Sequence, residues 1–191
     1  MIIPQKTGLW QKVLALGAVI GSALTGCVTG GSVGAFVGSH NPSSQRNPNP
    51  IVFDNSTETG IRAKVKTKSK IEAEVAYSGH ETSYEDVIET DDIKASDLSV
   101  SASYPVWNNR TVFVNVGGGI VSRSEAKTLK LIGIPGSDTD NRTATGWKAG
   151  VEARWQPHKN VSVEAGLDFH GFDNSYEKCG TTLSLGASYT F

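Results

Sequence analysis

Methionine and cysteine are nearly missing from this 191-residue chain, which has one methionine, Met1, and two cysteines, Cys27 and Cys179. Two cysteines cannot build the disulfide framework of a small secreted scaffold; they allow one bridge at most. An excess of positive charge is missing too. With 18 basic and 19 acidic residues the chain shows no electrostatic footprint for nucleic acid. A long apolar run is also lacking. The one uncharged apolar stretch, residues 13–24, falls short of the roughly 20 residues that a helical membrane span needs.

What the chain does have is strict alternation, in which apolar side chains recur at every second position, the period of a strand. Ile61, Ala63 and Val65 alternate with Arg62, Lys64 and Lys66, and Ile71, Ala73, Val75 and Tyr77 alternate with Glu72, Glu74, Ala76 and Ser78. Further such runs follow at residues 98–106, 112–120, 147–156, 161–170 and 181–191. Val33, Ala35 and Val37 give a weaker one, because Phe36 breaks the parity. The connections near 67–70, 107–110 and 157–160 are short, whereas the polar stretches 79–96 and 122–145 read as long loops.

The terminal run places Leu183, Leu185, Ala187, Tyr189 and the final Phe191 on one face. It resembles the carboxy-terminal signal of bacterial outer-membrane β-barrels, which implies recognition by the barrel assembly machinery. In overall plan the chain resembles the small barrels of the OmpA, OmpX and opacity-protein type. The fold so implied is all-β: an antiparallel up-and-down transmembrane β-barrel of eight strands, with short periplasmic turns and long external loops. An even strand count makes the segment around Val33 to Val37 the eighth stave.

At the other end, Lys6 and Lys12 precede the apolar run, which has the layout of a signal peptide. Leu24-Thr25-Gly26-Cys27 resembles the bacterial lipobox, which implies cleavage before Cys27 and lipidation of its sulfur; a generic secretory signal is the plainer reading. The implied division is residues 1–26 as signal peptide, 27–59 as an amino-terminal segment with a first strand and a Pro/Asn-rich loop, and 60–191 as barrel. A barrel separates Cys27 at the inner rim from Cys179 in the last external loop, so no bridge joins them.

With the polar face turned inward, the lumen receives Arg62, Lys64, Lys66, Lys148 and Arg154 against Glu72, Glu74, Glu152, Glu164 and Asp168, with His170 above them. Charges of both signs in a narrow tube predict paired layers and poor conduction. His170 and Asp168 share a face, the stock of acyl hydrolysis, and small barrels that trim lipid A exist as a family. No motif marks a nucleophile, and a luminal network is the better account. Glu81, Glu85, Asp86, Glu89, Asp91 and Asp92 offer oxygen ligands for a divalent cation bridging to lipopolysaccharide, though in no calcium-loop order.

The expected protein is therefore a non-enzymatic, cofactor-free surface protein of the bacterial outer membrane, in contact with lipid and lipopolysaccharide and meeting its partner through external loops. The runner-up is a lipid-anchored soluble barrel of lipocalin type carrying an apolar ligand, and a lipid A acylhydrolase is third.

Overall fold

The computed structural model describes residues 28–45, 50–52, 55–85, 89–131 and 137–191. The signal-peptide segment and Cys27 lie outside the described residues. Strands run in chain order as β1 (Val28–Gln45), β2 (Pro50–Val52), β3 (Ser56–Thr67), β4 (Glu72–Glu85), β5 (Glu89–Asn109), β6 (Val112–Leu131), β7 (Ser137–His158), β8 (Val161–Asp173) and β9 (Cys179–Thr190). Each pairs antiparallel with its neighbour, and β1 also pairs with β9, from Ser32 opposite Thr190 to Ser43 opposite Cys179. β2 meets only the outer end of β1, in line with β3, so β2 and β3 form one stave and the ring has eight. Closure removes both sheet edges, which is the condition for placing strands in lipid.

The apolar parity faces outward. Ile120 is 65% exposed, Leu183 62% and Trp147 56%, while Lys64, Glu72 and Glu164 on the opposite face are buried. A lipocalin-type barrel has the reverse arrangement, and the charged interior overturns that alternative. Trp147 and Trp155 lie eight residues apart on the outward face of β7, roughly 20 Å along the barrel axis after strand tilt, close to the height of an outer-membrane apolar band.

Phe36 no longer breaks a pattern. Its side chain points inward between the outward Ala35 and Val37 and lies over Gly60, where an added Cβ would come within 2.5 Å of the ring. A first stave thus begins at Val28, well ahead of residue 60. The inner connections are tight. Lys70 takes a left-handed conformation with φ of 68° in the turn between β3 and β4, and residues 110–111 and 159–160 make the others.

The two long external loops are a correction. β4 and β5 stay paired out to Glu85 and Thr90, and β6 and β7 out to Lys130 and Ser137. Beyond the lipid both faces of a strand meet polar surroundings, so apolar alternation vanishes while the backbone ladder continues. The periodicity that reveals a stave inside the membrane is silent outside it.

Candidate functional site

Two polar layers fill the lumen, one above the other. The inner layer is built from the alternate residues of β3, β4, β7 and β8 that the pleat turns inward. Glu152 accepts from Lys64, from Arg62 Nη1 at 3.0 Å and from Arg154 Nη2 at 3.0 Å. Glu164, fully buried, accepts from Lys64 Nζ at 3.0 Å and from the Ser188 hydroxyl at 2.9 Å, with Arg62 Nε 3.2 Å and Arg154 Nε 3.1 Å away. Arg154 grips Glu72 with both terminal nitrogens, at 3.0 and 2.6 Å. Lys148 joins Glu74 at 3.4 Å to Asp168 at 3.5 Å. The chain of charges therefore runs unbroken from Asp168 to Glu72. Small residues make room for it: at Gly150 a Cβ would lie 2.1 Å from Asp168 Oδ1, and at Gly186 2.5 Å from Arg62 Nη2.

Lys66 shares the inward parity but stands exposed at the inner mouth, 5.8 Å from the centre of the Phe113 ring and outside this network. The layer thus has four cations against five carboxylates, where the sequence count gives five of each. His170 faces the lumen above the layer. Neither of its ring nitrogens has a hydrogen-bond partner, and Asp168 below it is engaged with Lys148. Among the described residues no serine joins His170 and Asp168 in a relay.

The outer layer was not legible from the sequence. Arg123 of β6 closes a two-pronged pair with Asp97 of β5, Nε to Oδ1 at 2.7 Å and Nη2 to Oδ2 at 2.6 Å, and reaches Glu177 with Nη1 at 2.7 Å. Its guanidinium lies 3.9 Å from the centre of the Phe172 ring. Glu177, in the connection between β8 and β9, is fully buried and accepts from Thr82 at 2.6 Å and from His80 Nε2 at 2.9 Å. Burial opposes ionisation of Glu177, but its contacts with His40 and His80 and the charge of Arg123 prevail and hold the carboxyl well below its usual range. Glu125 accepts from Ser175 and from the Tyr176 amide at 3.1 Å, so the connection is fastened inside the mouth. Glu58 accepts from Thr182, whose oxygen meets His40 Nδ1.

Arg123 and Glu125 do alternate with Ser122 and Ser124, a parity that could have marked them as inward. The signal was masked because serines, not apolar residues, hold the outward positions 122 and 124.

Of the acidic hairpin residues, Glu81 pairs with Lys94 at 3.1 Å, Asp91 with Lys127 at 2.6 Å and Asp92 with Lys130 at 2.7 Å. Asp91 turns inward and its neighbour Asp92 outward, so these carboxylates do not converge. Asp86 and the side chains of Glu85 and Glu89 lie outside the described residues. On β9, Leu183, Leu185, Ala187, Tyr189 and Phe191 all face outward beside the β1 seam, and Phe191 exchanges backbone hydrogen bonds with Gly31 at 2.9 and 3.2 Å.

Among solved structures, the attachment invasion locus protein Ail of Yersinia pestis superposes with a TM-score of 0.60 at 15% identity, over 85% of this chain and 99% of its own. The N-terminal β-barrel domain of Pseudomonas aeruginosa OprF gives 0.58 at 15% identity over 86% and 99%, and Neisserial surface protein A gives 0.56 at 16% over 84% and 97%. At such identities the likeness is one of fold. A comparison with curated proteins finds no match. The model of the outer membrane protein beta-barrel domain matches residues 13–191, nearly the whole chain, and the protein belongs to that family.

Proposed function

We propose that this protein is a non-enzymatic, closed outer-membrane barrel whose work is done by the β-ribbons it raises above the membrane, in envelope integrity or in contact with another surface. The observation that carries the reading is the filled lumen. Two spaces left inside hold about 50 Å³ beside the inner layer and about 20 Å³ between the layers, room for a few isolated waters rather than for a column of them. A barrel that transmits nothing is a stand. The paired extensions of β4 to β7 are what it holds up.

Lipidation of Cys27 fits the same picture. Val28 pairs with Thr67 at the inner rim, so an acyl chain on the preceding residue would enter the inner leaflet. The outward row from Leu183 to Phe191, next to the seam where the ring closes, suits recognition by the assembly machinery. One Ail structure holds a heparin analogue. Here the external Lys94, Lys127, Lys130 and Arg142 each pair with a carboxylate, which argues against a polyanion as partner.

The test has two arms. In planar bilayers the refolded protein should show no large, stable open state; a steady conductance would refute the closed lumen. On cells, replacing residues 81–94 and 125–142 by short turns should abolish surface contact or envelope resistance while leaving a barrel that still shifts its gel migration on boiling. Unchanged behaviour would remove function from the ribbons.

A further inference from the structure

His40 of β1, His80 of β4 and Glu177 of the β8–β9 connection come from positions far apart in sequence, yet their ligand atoms all lie within 4.8 Å of one another, and all three residues are buried. His40 Nε2 is 3.4 Å and His80 Nε2 2.9 Å from the same oxygen, Oε2 of Glu177. Donors bonded to a tetrahedral zinc ion at about 2.0–2.1 Å stand roughly 3.3 Å apart, so the set has the right scale. The imidazole rings of His40 and His80 lie 4.2 Å apart between centres.

The protonation of His40 can be read from its neighbours. Thr182 gives its hydroxyl proton to Glu58, so its oxygen can only accept from His40, whose Nδ1 therefore carries the hydrogen. In the neutral ring Nε2 is then the lone-pair nitrogen; it lies buried 3.4 Å from Oε2 of Glu177, outside hydrogen-bond geometry. A hydroxyl that fixes Nδ1–H and so frees Nε2 is the kind of outer contact that orients metal-bound histidines.

Charge points the same way. Glu58, Asp97, Glu125 and Glu177 are all buried in this layer, and among the described residues Arg123 is the one buried guanidinium or ammonium there. Buried carboxylates in that excess call for positive charge. Three of the four histidines of the chain, His40, His80 and His170, gather here.

We infer that His40, His80 and Glu177 form a binding site for a divalent transition ion of the zinc class, at the external mouth of the lumen. Two imidazoles and one carboxylate are borderline donors that suit zinc and leave a fourth position open. On loading, His80 Nε2 gives up its contact with Glu177 for the ion and its proton moves to Nδ1, which has no partner at present. Arg123 keeps its grip on Asp97, and its Nη1, 2.7 Å from the same Oε2, continues to fix the Glu177 carboxylate. The ion would tie the β8–β9 connection to β1 and β4, sealing the mouth.

The experiment is titration of the refolded full-length barrel in detergent with zinc, in a Cys27→Ser, Cys179→Ser background that removes both thiols. One ion per chain is expected, with binding weakened at least tenfold by His40→Gln or His80→Gln and unchanged by His158→Gln at the inner turn. Absence of stoichiometric zinc, or variants that bind as tightly as the parent, would overturn the site. Should the luminal variants fail to show the boiling shift of a folded barrel, cobalt decides on the parent alone. An intense visible spectrum of four-coordinate cobalt supports the assignment, and the pale spectrum of the aqueous ion refutes it.

Discussion

Arg123→Met tests whether the outer layer is held by charge pairing. The variant keeps the length and much of the volume of the side chain, so its packing over Phe172 changes little, but Asp97 loses a two-pronged partner and Glu177 loses Nη1. Removing one member of a buried ion pair costs about 3–5 kcal/mol, chiefly because the remaining charge is left without compensation. Urea unfolding slopes for small proteins are about 1–3 kcal/mol per molar, so the midpoint should fall by about 2 M. The assay is reversible urea unfolding of the refolded barrel in lipid vesicles, followed by tryptophan fluorescence.

Arg123→Met combined with Asp97→Asn removes a charge from each side, and the pair should be less damaging than the two single effects added, by about 0.5–3 kcal/mol. Glu164→Gln in the inner layer should cost less than Arg123→Met, because Lys64, Arg62 and Arg154 all keep Glu152, and Arg154 keeps Glu72 as well. A midpoint shift for Arg123→Met below about 0.5 M, or strict additivity in the double variant, would mean that water already solvates these carboxylates and that the layer is not a dry seal.

Three further outcomes are expected. Val151→Arg, midway between Trp147 and Trp155 on the lipid face, should lower stability by about 2–4 kcal/mol, against about 0–1 for Val161→Arg at the inner rim, measured in the same vesicles; equal effects would contradict a membrane-embedded outer face. At Gly119 an added Cβ would lie 2.1 Å from the Val100 carbonyl oxygen, so Gly119→Ala must push β5 and β6 apart, costing about 1–3 kcal/mol and slowing the appearance of the boiling-sensitive form. Tyr176 donates to Asp140 outside the membrane, and burial followed by that hydrogen bond pushes its phenol up from 10.0 to about 12. A raised value stabilises the folded state fully below pH 10 and ceases to do so as the pH rises through about 12. Absorbance titration should therefore lose a late-titrating component in Tyr176→Phe, and Asp140→Asn should bring that component back toward 10.

The staves were legible because each lies between two media. Lipid on one side and a polar lumen on the other impose a period of two, and Trp147 to Gln156 displays it over a full crossing. Parity also placed Arg62, Lys64, Glu72, Glu74, Lys148, Glu152, Arg154, Glu164, Asp168 and His170 on the inward face. It could not say that Lys66 falls at the open mouth, because height along the axis depends on strand tilt and register rather than on parity. The outer layer was illegible for a stronger reason. His40 sits next to a proline-rich stretch, His80 opens what reads as a polar loop, and Glu177 lies in a connection, so no local pattern marks any of them as interior. Only closure of the ring brings residues 40, 80 and 177 to one point.

The two layers differ in a way that bears on their roles. The inner one nearly balances its charges and engages every carboxylate with a cation, so removing a single partner leaves the rest paired in other combinations. Redundancy of that kind suits a permanent fill. In the outer layer Asp97, Glu125 and Glu177 share the Arg123 guanidinium while Glu58 stands beside His40, and a connecting segment, not a stave, supplies the central Glu177. Its integrity depends on Arg123 and on whatever neutralises the remaining negative charge beside His40 and His80. Sensitivity is therefore concentrated at the external mouth, where the β8–β9 connection is held down by Glu125 and Glu177 and where the ribbons begin. A change at Arg123 or Glu177 therefore acts on the mouth, while Glu72, Glu152 and Arg154 below keep their own pairs.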